Sequence, residues 1–254
     1  MKKKLTAMAM VLVLGATAAI GGTLAYFTDT DAQKNVMTTG NVDISQDEQQ
    51  QGENGLEDFK QNKPLMPMVD GRADGDDVVV NGYFNAKMEN VVDKIVTVKN
   101  EAKKDAVNQD AYVRTILAFE TKTSYKAGST TEVDTDAKTI FDKYIGTLGD
   151  FELLKRGVIT VDGVEYVLAV KVYDKALAPQ EVSDPSLKQI FLAPTADNEV
   201  ANLFGTDYTI LAVSQGTQTA GFSSAAEALD TAFGDLETVS EETLVEWLSA
   251  CVAE

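Results

Sequence analysis

The residues best equipped for chemistry in this chain are one thiol, Cys251, and the acidic run Asp70-Gly-Arg-Ala-Asp74-Gly-Asp76-Asp77. A cysteine nucleophile needs a lowered thiol pKa, commonly set by an adjacent histidine, and the 254 residues contain no histidine. Cys251 instead continues the helical stripe Leu244, Trp247, Leu248, so a packed thiol is expected, with no partner for an intrachain disulfide. The acidic run has part of a calcium loop. Arg72 stands at its third position, however, and Asn81 replaces the bidentate glutamate of the twelfth, so a solvated acidic turn is the preferred reading and Ca²⁺ the alternative. Without histidine, HExxH zinc motifs and Ser-His-Asp triads are excluded. No catalytic residue, cofactor or metal ligand is assigned, and the chain is not expected to be an enzyme.

Charge narrows the field further. The chain has 22 Lys and Arg against 40 Asp and Glu, a formal net charge of -18, whereas nucleic acid binding requires clustered cations that displace counterions. DNA and RNA are therefore excluded as partners. With 44% hydrophobic and 24% charged residues, the chain can bury a core in one large domain or two small ones, which argues against disorder along its whole length.

The elements that would position function begin with a removable leader. Lys2, Lys3 and Lys4 precede a mostly apolar run from Leu5 to Ile20 and a small-residue stretch from Gly21 to Ala25, the three parts of a secretory signal peptide. The apolar run is shorter than the roughly 20 residues of a spanning helix, and Gly15, Gly21 and Gly22 weaken any helix through it. Thr23 and Ala25 suit the positions three and one before the cut, so residues 1–25 are expected to be removed and the mature chain to start at Tyr26. The cut removes three lysines and no acid, taking the net charge from -18 to -21. No second long apolar run and no LPxTG sequence follows, so secretion without a stable membrane anchor is expected.

Residues 26–44 read as an extended segment with Val36, Val42 and Ile44 on one side. Ser45 to Asp77, with four glutamines between Gln46 and Gln51 and glycines at 52, 55, 71 and 75, reads as an exposed acidic loop or insertion. Strand signals follow at Val78–Phe84, Ile95–Val98 and Ala111–Phe119, the last holding the cation Arg114. Asp162-Gly163 between two β-branched runs predicts a type I′ hairpin whose second arm buries Val164, Tyr166, Leu168, Val170 and Val172 and exposes Glu165 and Lys171. Further strands are expected at Gln189–Leu192 and Tyr208–Ser214. Ser223 or Ser224 can cap a helix over Ala225–Phe233 that stops at Gly234, and Thr238 with Glu241 has capping-box spacing before Leu244–Val252. Many short strands and few helices predict an all-β antiparallel sandwich with helical additions, two of them C-terminal, over residues 45–254.

Three separated stretches carry a resemblance. Gly21-Gly-Thr-Leu-Ala-Tyr-Phe-Thr-Asp-Thr-Asp31 with Asn35-Val-Met-Thr-Thr-Gly40-Asn-Val-Asp-Ile44 is similar to the N-terminal signature of the TasA/CalY (camelysin) family. Asp93–Asn100 with Asp110-Ala-Tyr-Val-Arg114, and Leu211–Phe233, resemble later segments of such Gram-positive proteins, while the 45–77 stretch has no counterpart. The resemblance implies a jelly-roll-type extracellular protein that forms biofilm-matrix fibres, a leader removed by a SipW-type signal peptidase, and an accessory matrix or anchoring protein as a further partner. It also implies that the freed N-terminal segment lies across the next subunit as an added strand, with Val36, Val42 and Ile44 as anchors; pairing within the segment's own subunit is the alternative. Camelysin-type members are also described as surface metalloproteases, and a non-polymerising adhesin would use the same fold.

Overall fold

The computed structural model describes residues 25–28, 36–39, 42–60, 64–104, 109–121, 125–126, 133–134, 137–197, 200 and 207–251. The leader up to residue 24, Thr23 included, and Val252 lie outside the described residues. The chain passes through β1 (Ala25–Thr28), β2 (Val36–Thr39), β3 (Ile44–Gly52), β4 (Gly55–Asp58) and β5 (Pro64–Leu65). Short strands β6 (Val69–Asp70), β7 (Val79–Val80), β8 (Tyr83–Phe84) and β9 (Met88–Glu89) lead to the long β10 (Val92–Asn100) and β11 (Ala111–Thr121). Next come β12 (Tyr125–Lys126), β13 (Val133–Asp134), helix α1 (Ala137–Tyr144), β14 (Ile145–Gly149), β15 (Glu152–Leu153) and β16 (Ile159–Val161). The chain continues through β17 (Val164–Val172), β18 (Leu187–Leu192), β19 (Asp207–Gln218), α2 (Ala225–Phe233) and α3 (Glu241–Ser249). Among the described residues, no helix is long and apolar enough to cross a membrane.

Two sheets make the expected all-β sandwich with helical additions. One has the order β15-β17-β11-β19-β1-β5, with β16 also on β17 and β2 also on β19; the other has the order β14-β18-β10-β3-β4. The expected antiparallel pairing holds for β17, β11 and β19, but β1 and β2 run parallel to β19. A chain that returns to its last strand from its first is not limited to hairpin geometry, so either direction is open to it.

The first sheet is covered on both faces, which explains the nearly continuous apolar run of β11. Leu117 and Phe119 of β11, Val167 and Ala169 of β17, and Tyr208, Ile210 and Ala212 of β19 pack toward Val92, Val96, Leu187 and Ile190 of the opposite sheet. The alternate residues Ile116, Ala118, Leu168, Leu211 and Val213 pack under Leu236, Leu244, Leu248 and Cys251. Fully burying each such side chain contributes about 1.5–3 kcal/mol. The expected one-sided hairpin arm is therefore corrected: Tyr166 and Leu168 face the helices while Val167 and Ala169 face the second sheet, all buried. Its turn is as expected, with Asp162 and Gly163 at φ 49 and 83.

Both C-terminal helices have side-chain caps. Ser224 accepts from the Glu227 amide, and Gly234, at φ 91, donates to the Asp230 carbonyl. Arg114 clamps this helix end to the sheet: Nε donates to Gln215 Oε1 at 2.7 Å, and the two terminal nitrogens donate to Asp230 Oδ1 and the Gly234 carbonyl, each at 2.9 Å. A guanidinium at a helix C-terminus satisfies an orphan carbonyl and opposes the helix dipole. For α3 the cap is Ser240, which accepts from the Thr243 amide, and not Thr238. Thr238 sits in the preceding turn and donates its amide to the Asp235 carbonyl.

The reading of Ser45–Asp77 as an exposed loop is also corrected. Its first part is β3, paired with β10 from Ile95 opposite Gln49 to Asn100 opposite Ile44, and Gln46, Glu48 and Gln50 point into the sandwich at 4%, 6% and 5% exposure. Polar side chains can lie there because they bond one another: Gln46 Nε2 donates to Glu48 Oε1 at 3.0 Å, and Lys94 pairs with Glu48. The expected strand at Val78–Phe84 is instead the small hairpin β7-β8, turning at Asn81 and Gly82 with positive φ, and Val78, Val79 and Val80 are exposed.

Two stability changes follow from this packing. A Cβ on Gly146 would lie 2.1–2.6 Å from carbons of the Phe191 ring laid across it from the neighbouring strand. Gly146→Ala is expected to cost about 1–3 kcal/mol, and more if the ring cannot move aside, as measured by denaturant unfolding. On the outer side of β3, partial burial raises the Asp47 carboxyl above its ordinary value, Glu101 and Asp58 add to this, and Lys99 opposes it. The folded chain thus holds this proton more tightly than the unfolded chain, and the site gains stability as pH falls through the raised folded value. Asp47→Asn should be more stable than wild type at pH 7, with the difference vanishing below the ordinary value of 3.8, in unfolding curves measured across pH.

Candidate functional site

The outer edge of β19 is where the N-terminal segment meets the body of the protein. One side of β19 pairs with β11 from Ala111 opposite Gln218 to Phe119 opposite Ile210. Along the other side, Tyr26, Phe27 and Thr28 of β1 lie opposite Asp207, Tyr208 and Thr209, and Val36 to Thr39 of β2 lie opposite Ser214 to Thr217. From Thr28 to Val36 the segment advances eight residues while its partner advances five, so β1 and β2 lie along one side of β19 in two registers that differ by three residues. Between them the Ala212 carbonyl accepts from Gln46 Nε2 at 3.2 Å and from Cys251 Sγ at 3.7 Å. The edge is thus closed by backbone at both ends and by side chains in the middle. On its far side β1 pairs with β5, Ala25 opposite Leu65 and Tyr26 opposite Pro64.

The three apolar residues read from the sequence come together here. Val36 and Val42, both part-buried, pack with Ile44 against Val98, Ala111, Val113, Tyr173 and Leu177. Gly216 makes room for Ile44, whose Cδ1 lies 2.8 Å from where a Cβ would stand. Met37, not singled out from the sequence, packs on the opposite face with the helix-side cluster, its sulfur accepting from Gln215 Nε2 at 3.6 Å. The adjacent apolar pair Val36-Met37 was the available signal, since neighbouring residues of a strand face opposite sides. Ala25 and Tyr26 of the expected cleavage junction fall in β1, and Thr23 lies outside the described residues.

The calcium-like turn is organised by cations of the chain itself. Asp70 accepts from Arg72 Nε at 2.9 Å and pairs with its Nη2 at 2.7 Å, and these bonds hold the Asp70 carboxyl below its ordinary range. Asp76 pairs with Lys87 at 2.8 Å and is lowered in the same way. Among the described residues no three His, Cys, Asp or Glu side chains converge where a metal could be held.

Residues 1–54 match the model of a family described as camelysin metallo-endopeptidase. No curated protein and no solved structure matches the chain. A metallo-endopeptidase implies a metal, ordinarily zinc on about three protein ligands. The described residues do not fit one: no histidine exists to serve, Cys251 is buried beneath β19, Asp70 and Asp76 of the 70–77 turn are engaged by Arg72 and Lys87, and no three candidate ligands converge among the described residues. The match spans β1, β2 and the whole of β3, and it contains the first of the three stretches that carry the resemblance read from the sequence. Over these N-terminal residues the chain is similar to the camelysin, or TasA/CalY, family.

Proposed function

We propose that this protein is a secreted structural subunit of extracellular biofilm-matrix fibres, assembling head to tail by passing its N-terminal segment to the next copy. The observation that carries this reading is the edge strand on β19. It comes from the opposite end of the sequence, is held by backbone pairing and a few anchors, and is linked to β3 by only the four residues between Thr39 and Ile44. A segment docked in this way on its own subunit makes the same contacts on a neighbour, and such a one-way exchange does not close on itself, so it builds filaments. Val36, Val42 and Ile44 would anchor the junction from the inner face and Met37 from the outer. The partners of this function are further copies of the chain, a SipW-type signal peptidase that frees Tyr26, and an accessory or anchoring matrix protein.

The donor ends at Thr39, because Ile44 is buried in β3 and belongs to the acceptor body. Deleting Tyr26–Thr39 from the mature protein should leave a folded monomer, by circular dichroism, that forms no filaments by negative-stain microscopy; normal filaments from this variant would overturn strand donation. With three lysines and no acid in residues 1–25, the mature charge is -21, and subunits repel one another at neutral pH and low salt. Filament yield should rise as pH falls from 7 to 4 at low ionic strength, or with added salt at pH 7. A yield indifferent to both would remove charge repulsion as a control on assembly.

The family description, camelysin metallo-endopeptidase, favours a second reading, a cell-surface metallo-endopeptidase. Chelator-sensitive digestion of casein by purified protein, absent from a mock-purified control, would establish that activity.

A further inference from the structure

The sandwich interior holds a set of reactive groups that the assembly edge does not use. Lys94, on β10, has no exposed surface, and Glu48 and Gln50, on β3, are 6% and 5% exposed. The β3–β10 register sets Val96 opposite Glu48 and Ile95 opposite Gln49; carried one residue further, it brings Lys94 beside Gln50 on the same inward face. Lys94 Nζ donates to Glu48 Oε2, and Glu48 Oε1 is held by Gln46 Nε2 at 3.0 Å. The Gln50 amide is gripped at both ends: the Lys60 backbone N–H donates to Oε1 at 3.3 Å, and Nε2 donates to Glu57 Oε1. The Phe59 ring, 4.6 Å from Nζ, lies against the ammonium.

This arrangement contains a nucleophile, a base, an electrophilic carbonyl with a donor on its oxygen, and an acceptor on its leaving nitrogen. We propose that Lys94 and Gln50 become joined by an intrachain isopeptide bond, with Glu48 as the base. The Lys94 ammonium gives a proton to the Glu48 carboxylate it already touches, a transfer made easier by burial, which penalises both charges. The freed amine attacks Gln50 Cδ, and the Nζ–Cδ bond forms as the carbonyl electron pair moves to Oε1, facing the Lys60 N–H. The Cδ–Nε2 bond then breaks; Nε2 takes one proton from Nζ and one from Glu48 and leaves as ammonium. Glu48 is again a carboxylate, and the new amide N–H remains beside it. No oxidant, metal or second molecule is consumed, and fixing both partners in one folded interior supplies the effective concentration that a solution aminolysis lacks. Glu48 serves as the base because it must hold the Lys94 proton and pass it to the leaving nitrogen, which it cannot do while it is itself the acyl group under attack. The product would tie β3 covalently to β10, inside the body that receives the N-terminal strand.

The test is the intact mass of the purified folded chain, with its N-terminus determined and the protein then denatured. The expected mass is one ammonia, about 17 Da, below that of the sequence, with protease digestion yielding one branched peptide that contains both Gln50 and Lys94. Lys94→Arg and Glu48→Gln should each restore the full mass. A wild-type chain of full mass overturns the proposal and leaves Lys94–Glu48 a plain ion pair. A loss of water instead of ammonia, with Glu48 in the branched peptide, overturns the choice of Gln50. The wild-type mass decides the matter even where a variant fails to fold.

Discussion

Strands β11 and β19 bear apolar side chains on both faces, and such a pair is stable only when both faces are covered. The second sheet covers one face and the C-terminal helices the other. This requirement explains why a β-sandwich carries two helices at its end: Leu244, Leu248 and Cys251 shield Ile116, Leu211 and Val213, which would otherwise face water. Arg114 ties the cover down by taking the carbonyl end of α2, which a helix cannot satisfy itself. The outer edge of β19 is the remaining exposure, and the N-terminal segment lies along it.

The same sandwich has a polar seam that its hydrophobic cores do not predict. Along β3 the inward positions after Ile44 are Gln46, Glu48 and Gln50, where an ordinary strand would place valine or isoleucine. The seam is tolerated because each group meets another: Gln46 bonds Glu48, Ser214 Oγ donates to Gln46 Oε1 at 2.7 Å, and Thr115 and Ser214 share a bond at 3.1 Å. These contacts run from one sheet to the other, so they specify how the layers align as well as satisfying the groups. Burying a charged pair contributes little net stability beside a hydrophobic replacement, so the seam is better understood as a source of alignment and chemistry than of stability.

The fibre role proposed above draws on two features, the acidic balance of the chain and the N-terminal strands paired along β19. The proposed exchange asks only that an identical strand from another copy take the same register and anchors on β19. In that proposal the acidic charge would act over a longer range, with protons or salt reducing the repulsion between copies.

Local order was largely legible in the sequence. Asp162-Gly163 had to turn because a type I′ hairpin needs two residues that accept positive φ, and Ser224 and Gly234 bounded α2 through their own cap bonds. Cys251 was recognisable as a packed thiol from helical spacing, and the strand-rich class from the density of β-branched segments. Tertiary structure decided the rest, because it rests on partners distant in the chain. Whether β3 was loop or strand depended on groups such as Lys94 and Ser214 meeting its glutamines and glutamate, since polar side chains reveal burial only through their partners. The second buried face of β17, that of Val167 and Ala169, depended on the opposite sheet, whose Val92 and Val96 lie roughly 70 residues earlier. The edge strand depended on pairing with β19, roughly 180 residues away. Turns and caps are made by bonds within a few residues, which sequence displays directly; sheet edges and polar interiors are made by long-range contacts, which only the folded chain brings together.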